Sequence, residues 1–139
     1  SDHCVALSDD GKVYGRGAIK HGKLGLGKNI QNVKEVGDYK EDVIEEFAEI
    51  TSLNKYNIKA VHAGVDHSLF QTVDGKILAC GENDFGELFT DKPSEDNVYL
   101  PIETLINNGA TFCFAGFYHS VAFIGYVPLK SPNQMITNF

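Results

Sequence analysis

Three histidines stand at equivalent places in this sequence, and their spacing bears on whether they could bind a metal. His3, His67 and His119 recur at intervals of 64 and 52 residues. Structural zinc sites pair cysteines about two to four residues apart, or histidines about three to five apart. Neither spacing occurs here, and the three cysteines are equally scattered. We therefore expect no metal site and no cofactor, and we interpret the histidines as structural residues bonded to local backbone.

A glycine-rich stretch at residues 22–29, Gly-Lys-Leu-Gly-Leu-Gly-Lys-Asn, nearly matches the phosphate-binding loop of nucleotide-binding proteins. Asn29 lacks the hydroxyl group with which Ser or Thr contacts Mg²⁺ in that loop. Such a loop also leads into a helix, whereas residues 30–37 show no helical periodicity. The stretch does not predict a nucleotide-binding site.

His67 stands between Asp66 and Ser68, the three residue types of a hydrolase triad. Neighbouring residues of a β-strand point to opposite faces of the sheet. His67 and Ser68 therefore cannot form the contact between nucleophile and base. We predict no catalytic residues and no enzyme activity.

Composition and charge narrow the class of protein further. The net charge is −7, with 19 acidic and 12 basic residues, which argues against a general nucleic-acid or anionic-membrane binder. The longest apolar run, residues 121–129, is interrupted by Gly125 and Pro128 and is far shorter than the roughly 18 residues of a membrane helix. Few, scattered cysteines indicate a reducing compartment. We expect an intracellular protein of the cytoplasm or nucleus, with no membrane partner.

The sequence repeats internally, with the histidines at the centre of each unit. The 64-residue interval also superimposes three pairs of glycines, which we interpret as structural repeat positions. These pairs are Gly11 with Gly75, Gly17 with Gly81, and Gly22 with Gly86. Matches in register over so many positions identify a repeat protein.

Each unit is expected to build short antiparallel strands. Asp74-Gly75 separates two runs of β-favouring residues, and Asp10-Gly11 does the same in the preceding unit. Asp-Gly is a strong signal for a short hairpin, because the turn requires positive φ. Short antiparallel strands at a repeat of this length are typical of a β-propeller blade.

The repeat resembles that of the regulator of chromosome condensation family. The second unit shows the family pattern as Ala63-Gly64, His67-Ser68, Asp74-Gly75, Cys80-Gly81 and Gly86-Glu87-Leu88. The resemblance implies an all-β fold: antiparallel blades of a seven-bladed propeller, of which this chain supplies roughly two to two and a half. We predict repeat segments at residues 1–53, 54–105 and 106–123, and a tail at 124–139 that leaves the pattern. The other blades would come from the same parent chain or from self-association.

The first unit is longer than the second, and the extra residues are acidic. Residues 41–50 place apolar side chains at helical spacing, which favours a short amphipathic helix. The segment is either a solvated acidic loop or a blade extension that contacts a partner's basic surface. The carboxylates of that extension would be Glu41, Asp42, Glu45 and Glu46.

The turn before each repeat histidine is the second candidate surface. The resemblance implies that these turns line the rim that faces a GTPase in the family, and the matching positions are Asp2, Asp66 and Tyr118. The alternative is that the aspartates make only local hydrogen bonds in their turns.

We predict a protein-interaction module without chemistry of its own. The alternative function is guanine-nucleotide exchange on a Ran-type small GTPase.

Overall fold

The regular structure of the chain is almost entirely β-strand. The computed structural model describes residues 2–125. Two single-turn 3-10 helices, Lys20–Gly22 and Thr51–Leu53, interrupt the strands. The strands are β1 (His3–Leu7), β2 (Val13–Ala18), β3 (Lys34–Val36), β4 (Glu41–Glu49), β5 (Ile58–Ala63), β6 (His67–Thr72), β7 (Ile77–Asn83), β8 (Ser94–Glu103), β9 (Ala110–Ala115) and β10 (Ser120–Ile124).

These strands form three successive antiparallel sheets. The first sheet has the order β1-β2-β4-β3, and the second has the order β5-β6-β7-β8. Strands β9 and β10 pair as a third sheet of two strands. The expectation of an all-β fold built from antiparallel blades is therefore confirmed. The exact repeat limits at residues 53, 105 and 123 stay predictions, and residues 126–139 of the predicted tail lie outside the described part of the chain.

Both predicted Asp-Gly turns are present. In the first turn, the amide of Gly11 donates to the carbonyl of Ser8 at 2.9 Å and φ is +85° at the glycine. In the second, the amide of Gly75 donates to the carbonyl of Thr72 at 3.2 Å, with φ of +86°. The turns join β1 to β2 and β6 to β7, and they thereby set the register of both central hairpins.

The prediction of a helix at residues 41–50 is wrong, because these residues form strand β4. This strand pairs with β2 on one side and with β3 on the other. The register of β2 against β4 shifts between Gly15 and Gly17. Such a bulge breaks the strict alternation of a strand. The apolar pairs at 43–44 and 47–48 consequently mimic helical spacing in the sequence.

The sheets bury their apolar faces against one another. One core lies between the first and second sheets and includes Val13, Phe70 and Leu78. A second core lies between the second and third sheets and includes Leu69, Ile77 and Cys113. Strand β6 contributes to both cores, and all six of its residues are buried. The second sheet is thus covered on both faces.

Gly17 and Gly81 allow β2 and β7 to pass close to the turn before the repeat histidine. A Cβ atom on Gly81 would overlap the carbonyl oxygen of Asp66 and lie 2.6 Å from the Cα of His67. A Cβ on Gly17 would lie 2.5 Å from the carbonyl oxygen of Asp2. Both clashes are with backbone, which cannot move aside as the end of a side chain can. These repeat glycines are therefore required by sterics as well as by their positive φ angles.

We predict that Gly81→Ala destabilises the protein far more than Gly11→Ala. Both glycines have positive φ, but a Cβ on Gly11 meets no atom within 4 Å. Gly11→Ala should lower the free energy of unfolding by about 1–2 kcal/mol, the cost of placing an alanine at a left-handed φ angle. Gly81→Ala should lower it by that amount and also by the cost of displacing the neighbouring backbone. Urea unfolding of both variants measures the difference, and equal losses of unfolding free energy would contradict it.

Candidate protein-interaction surface

His3 and His67 each join their own sheet to the next one. The Nε2 of His3 lies 2.8 Å from the Oγ of Ser68, and the Nε2 of His67 lies 2.9 Å from the Oγ of Ser120. The hydroxyl of Ser68 also donates to the carbonyl of Lys23 at 2.6 Å. Because that hydroxyl has a single proton, the His3 Nε2–H must donate to it. The expectation that these histidines bond to local backbone is therefore wrong, since the serine partners belong to the following sheet.

The imidazoles of His3 and His67 are neutral at physiological pH. Burial is the main cause that lowers the pKa of His3 to about 4, and the charge of Lys23 adds to it. Burial likewise lowers the pKa of His67 to about 4, with a further contribution from His119. His119 has no following sheet within residues 2–125 and is exposed. Among the described residues, no three His, Cys, Asp or Glu side chains are grouped as a metal site would require.

An ion pair holds Asp66 where the first and second sheets meet. We call the contact between two successive sheets a seam, so this pair lies at the first seam. The Nζ of Lys23 donates to the Asp66 carboxylate at 2.8 Å, and the Lys23 side chain is fully buried while that of Asp66 is 19% exposed. Burial by itself would raise the pKa of Asp66, but the hydrogen bond and the charge of Lys23 outweigh it and lower that pKa. Asp66 therefore has a structural role that its place on the predicted rim did not reveal.

The second seam replaces this ion pair with aromatic side chains. The repeat places Glu87 where the first unit has Lys23, and Tyr118 where the second has Asp66. The carboxylate of Glu87 turns back to accept a hydrogen bond from the amide of Phe85 at 3.0 Å. The ring of Phe85 packs edge-on against Tyr118, with ring centroids 5.5 Å apart. The same position of the repeat thus carries charge at one seam and an aromatic contact at the other.

Three aromatic rings consequently form an exposed cluster at the ends of the strands. Phe85, Phe117 and Tyr118 are 68%, 71% and 53% exposed, and we call them the aromatic cluster. Phe117 and Tyr118 are also in contact, with centroids 6.4 Å apart. The repeat pattern predicts Tyr118 but neither phenylalanine, although a phenylalanine in the glycine turn at residues 81–86 is a signal that the sequence contains.

Carboxylates adjoin the aromatic cluster. Asp84 is exposed and immediately precedes Phe85. The pKa of Glu82 is raised, chiefly by burial and further by the charges of Asp66, Asp84 and Glu87, while His21 acts in the opposite direction. This end of the sheets combines exposed rings with a local excess of negative charge.

The three predicted rim residues occupy equivalent ends of their strands. Asp2, Asp66 and Tyr118 precede β1, β6 and β10. The carbonyl of Asp2 accepts a hydrogen bond from the amide of Ala18 at 2.9 Å, and that of Asp66 accepts one from Glu82 at 2.8 Å. We call this end of the three sheets the rim. Asp2 is exposed and has no described sheet before it.

The acidic extension is a β-hairpin made by β3 and β4. Glu45 accepts a hydrogen bond from Lys34 at 2.6 Å within the hairpin. The side chain of Tyr39 at its turn is 98% exposed. The predicted carboxylates all lie on β4: they are Glu41, Asp42, Glu45 and Glu46.

We predict that Asp66→Ala lowers the free energy of unfolding by about 3 kcal/mol, because a buried ammonium loses the carboxylate that offsets its desolvation. The double variant Lys23→Met, Asp66→Ala should be more stable than Asp66→Ala alone, since the buried charge is then removed. Asp2→Ala is the matched control, and as a change of an exposed turn residue it should stay within about 0.5 kcal/mol of the parent. Chemical denaturation measures all three. A loss for Asp66→Ala no larger than for Asp2→Ala would contradict the structural role.

Comparison with known proteins connects these sheets to a repeat family. No model of a known protein family matches the chain. The chain is 38% identical over 90 residues to the mouse (Mus musculus) E3 ubiquitin-protein ligase HERC2, over 63% of this chain and 2% of that protein. It is 28% identical over 120 residues to the bovine (Bos taurus) secretion-regulating guanine nucleotide exchange factor, covering 86% of this chain and 23% of the relative. It is 27% identical over 133 residues to the guanine nucleotide exchange factor SRM1 of Saccharomyces cerevisiae. That match covers 87% of this chain and 26% of SRM1. The chain therefore spans about a quarter or less of the length of these relatives.

Solved structures show the same architecture. The yeast RCC1 protein Prp20, bound to Kap60, superimposes with a TM-score of 0.71 over 89% of this chain and 28% of that chain, at 24% identity. Human WBSCR16 superimposes with a TM-score of 0.69 over 90% of this chain and 29% of WBSCR16, at 19% identity. No helix in the described part of the chain has the length and apolar character needed to cross a bilayer. The repeated sequence, the stacked antiparallel sheets and these similarities agree: the chain has the fold of part of a β-propeller, and its repeats are similar to those of regulator-of-chromosome-condensation-type proteins.

Proposed function

We propose that this part of the propeller is a protein-interaction module that presents its rim to a partner and makes or breaks no covalent bond. The observation that carries the proposal is the aromatic cluster. Exposed, contiguous aromatic side chains mark interaction sites far more often than scattered apolar ones do. Asp2 and Tyr118 contribute to this surface directly, and Asp66 contributes by holding its loop against Lys23. The relatives differ in their named activities although they share the repeats, as expected where propellers serve as binding scaffolds.

The acidic hairpin is proposed as a secondary contact. Its carboxylates lie on one strand at the side of the first sheet, and Tyr39 projects at its turn. Negative charge of this kind accelerates the encounter with a basic surface more than it strengthens the final complex. The hairpin therefore suits a role in steering the partner toward the rim.

A photo-crosslinking amino acid placed at position 118 tests the proposal. We expect it to form a covalent adduct with a defined partner protein in cell extract, and the adduct should be depleted by excess unlabelled chain. The control position is Asp9, which is exposed in the turn at the opposite end of the first sheet. Equal adducts from positions 118 and 9 would show that the rim is not a specific contact surface.

A second candidate function is guanine-nucleotide exchange, favoured by the names of the bovine and yeast relatives. In this function the propeller would bind the nucleotide-free GTPase more tightly than the GDP-bound form, and this difference in affinity would drive GDP release. No residue of the propeller would take part in bond chemistry.

Release of fluorescent GDP from a Ran-type GTPase measures exchange. If the function holds, the chain accelerates release, and Tyr118→Ala diminishes the effect. Tyr118 is a better test than Asp66, because loss of the Asp66 carboxylate also affects stability. An intact propeller containing this chain that crosslinks another partner through position 118 but leaves GDP release unchanged would exclude exchange and keep the interaction module.

A further inference from the structure

The aromatic cluster is held in place before any partner binds. The loop that carries Phe85 is fixed by two hydrogen bonds: the amide of Phe85 donates to the carboxylate of Glu87 at 3.0 Å, and the amide of Leu88 donates to the Oδ1 of Asn83 at 3.2 Å. The loop that carries Tyr118 is closed by the amide of Gly116, which donates to the carbonyl of His119 at 2.8 Å. Rings presented by closed loops lose little further conformational entropy on binding.

The charges around the cluster indicate which partner chemistry fits it. Asp66 is neutralised by Lys23, and Glu87 satisfies a backbone amide. Glu82 and Asp84 lie within three residues of Phe85. Burial raises the pKa of Glu82, the charge of Asp84 raises it further, and the charge of His21 acts in the opposite direction. A purely apolar partner would desolvate these two carboxylates without compensation, and an anionic partner would be repelled.

Arginine satisfies both parts of this surface at once. Its planar guanidinium stacks on aromatic faces and donates in parallel to a carboxylate, whereas the compact lysine ammonium cannot do both as well. The chain already uses the same chemistry elsewhere, because the guanidinium carbon of Arg16 lies 5.5 Å from the centroid of the Phe47 ring. Arg16 is on β2, and Phe47 is on the neighbouring acidic strand β4. The arginine there also lies beside a ring on a strand that carries carboxylates.

We propose that the aromatic cluster, with Glu82 and Asp84, binds an arginine-bearing segment of the partner protein. The guanidinium packs against the rings of Phe85 and Tyr118 and donates to the adjoining carboxylates. This inference rests on the proposed interaction module and specifies the chemistry of its partner.

Fluorescence anisotropy with three labelled ten-residue peptides tests the proposal. The peptides alternate glycine with arginine, with lysine or with citrulline, which keeps the shape of arginine without its charge. We expect the arginine peptide to bind tightest and the citrulline peptide weakest. Phe85→Ala and Tyr118→Ala should each raise the Kd of the arginine peptide about tenfold, while Tyr118→Phe, which keeps the ring, should leave it within about twofold. Asp84→Asn should weaken binding and reduce its dependence on salt.

Matched controls come from the turns at the opposite end of the sheets, which also carry an exposed carboxylate and an exposed apolar side chain. Asp9→Asn and Val73→Ala should leave the Kd unchanged, and thermal unfolding confirms that every variant folds. Equal weakening by these control variants, or no loss with Phe85→Ala and Tyr118→Ala, would overturn the proposal. Absence of any preference for arginine over citrulline in the folded parent chain would overturn it too. If position 118 still crosslinks a partner protein in that case, the interaction module stands and only the arginine chemistry is wrong.

Discussion

The structure depends on one constraint, which is that no sheet can bury its apolar surface alone. Strand β6 shows the consequence most clearly, because it is buried throughout between the first and third sheets. Burial of apolar surface is the dominant favourable term in folding, so each sheet supplies the surface that stabilises its neighbour. The histidine–serine hydrogen bonds lie at these seams, at 2.8 Å and 2.9 Å, and align each sheet with the next.

The rim follows from this stacking. Because the sheets are aligned by the same hydrogen bond at each seam, the turns before the histidines come to equivalent places. Their side chains are then free to differ, as the change from Lys23 and Asp66 to Glu87 and Tyr118 shows. The hydrogen bond between successive sheets therefore stays the same while the side chains of the rim vary. This explains how one architecture can serve proteins with different named activities, because function resides in the sites that a fold presents.

The two candidate surfaces differ in how they are built. The aromatic cluster joins loops of two sheets, so its geometry depends on correct stacking of those sheets. The acidic hairpin belongs to the first sheet alone, where β3 pairs only with β4 in the described structure. A partner that binds the cluster therefore contacts two correctly stacked sheets at once. The hairpin, in contrast, presents its charge and one exposed ring from a single sheet.

The sequence by itself determined the features that depend on neighbouring residues or on the repeat. The Asp-Gly turns, the antiparallel hairpins and the equivalence of the three histidines were all predictable, because a turn's φ angles and a repeat's register are encoded locally. Only the tertiary structure decided what lies across a seam: the serine partner of His67, the ion pair of Asp66, and the contact between Phe85 and Tyr118. It also decided that β4 is a strand, because a bulge against β2 conceals the alternation and two neighbouring strands satisfy its backbone. These contacts join residues far apart in the chain, and no local pattern of residue types specifies which of them meet.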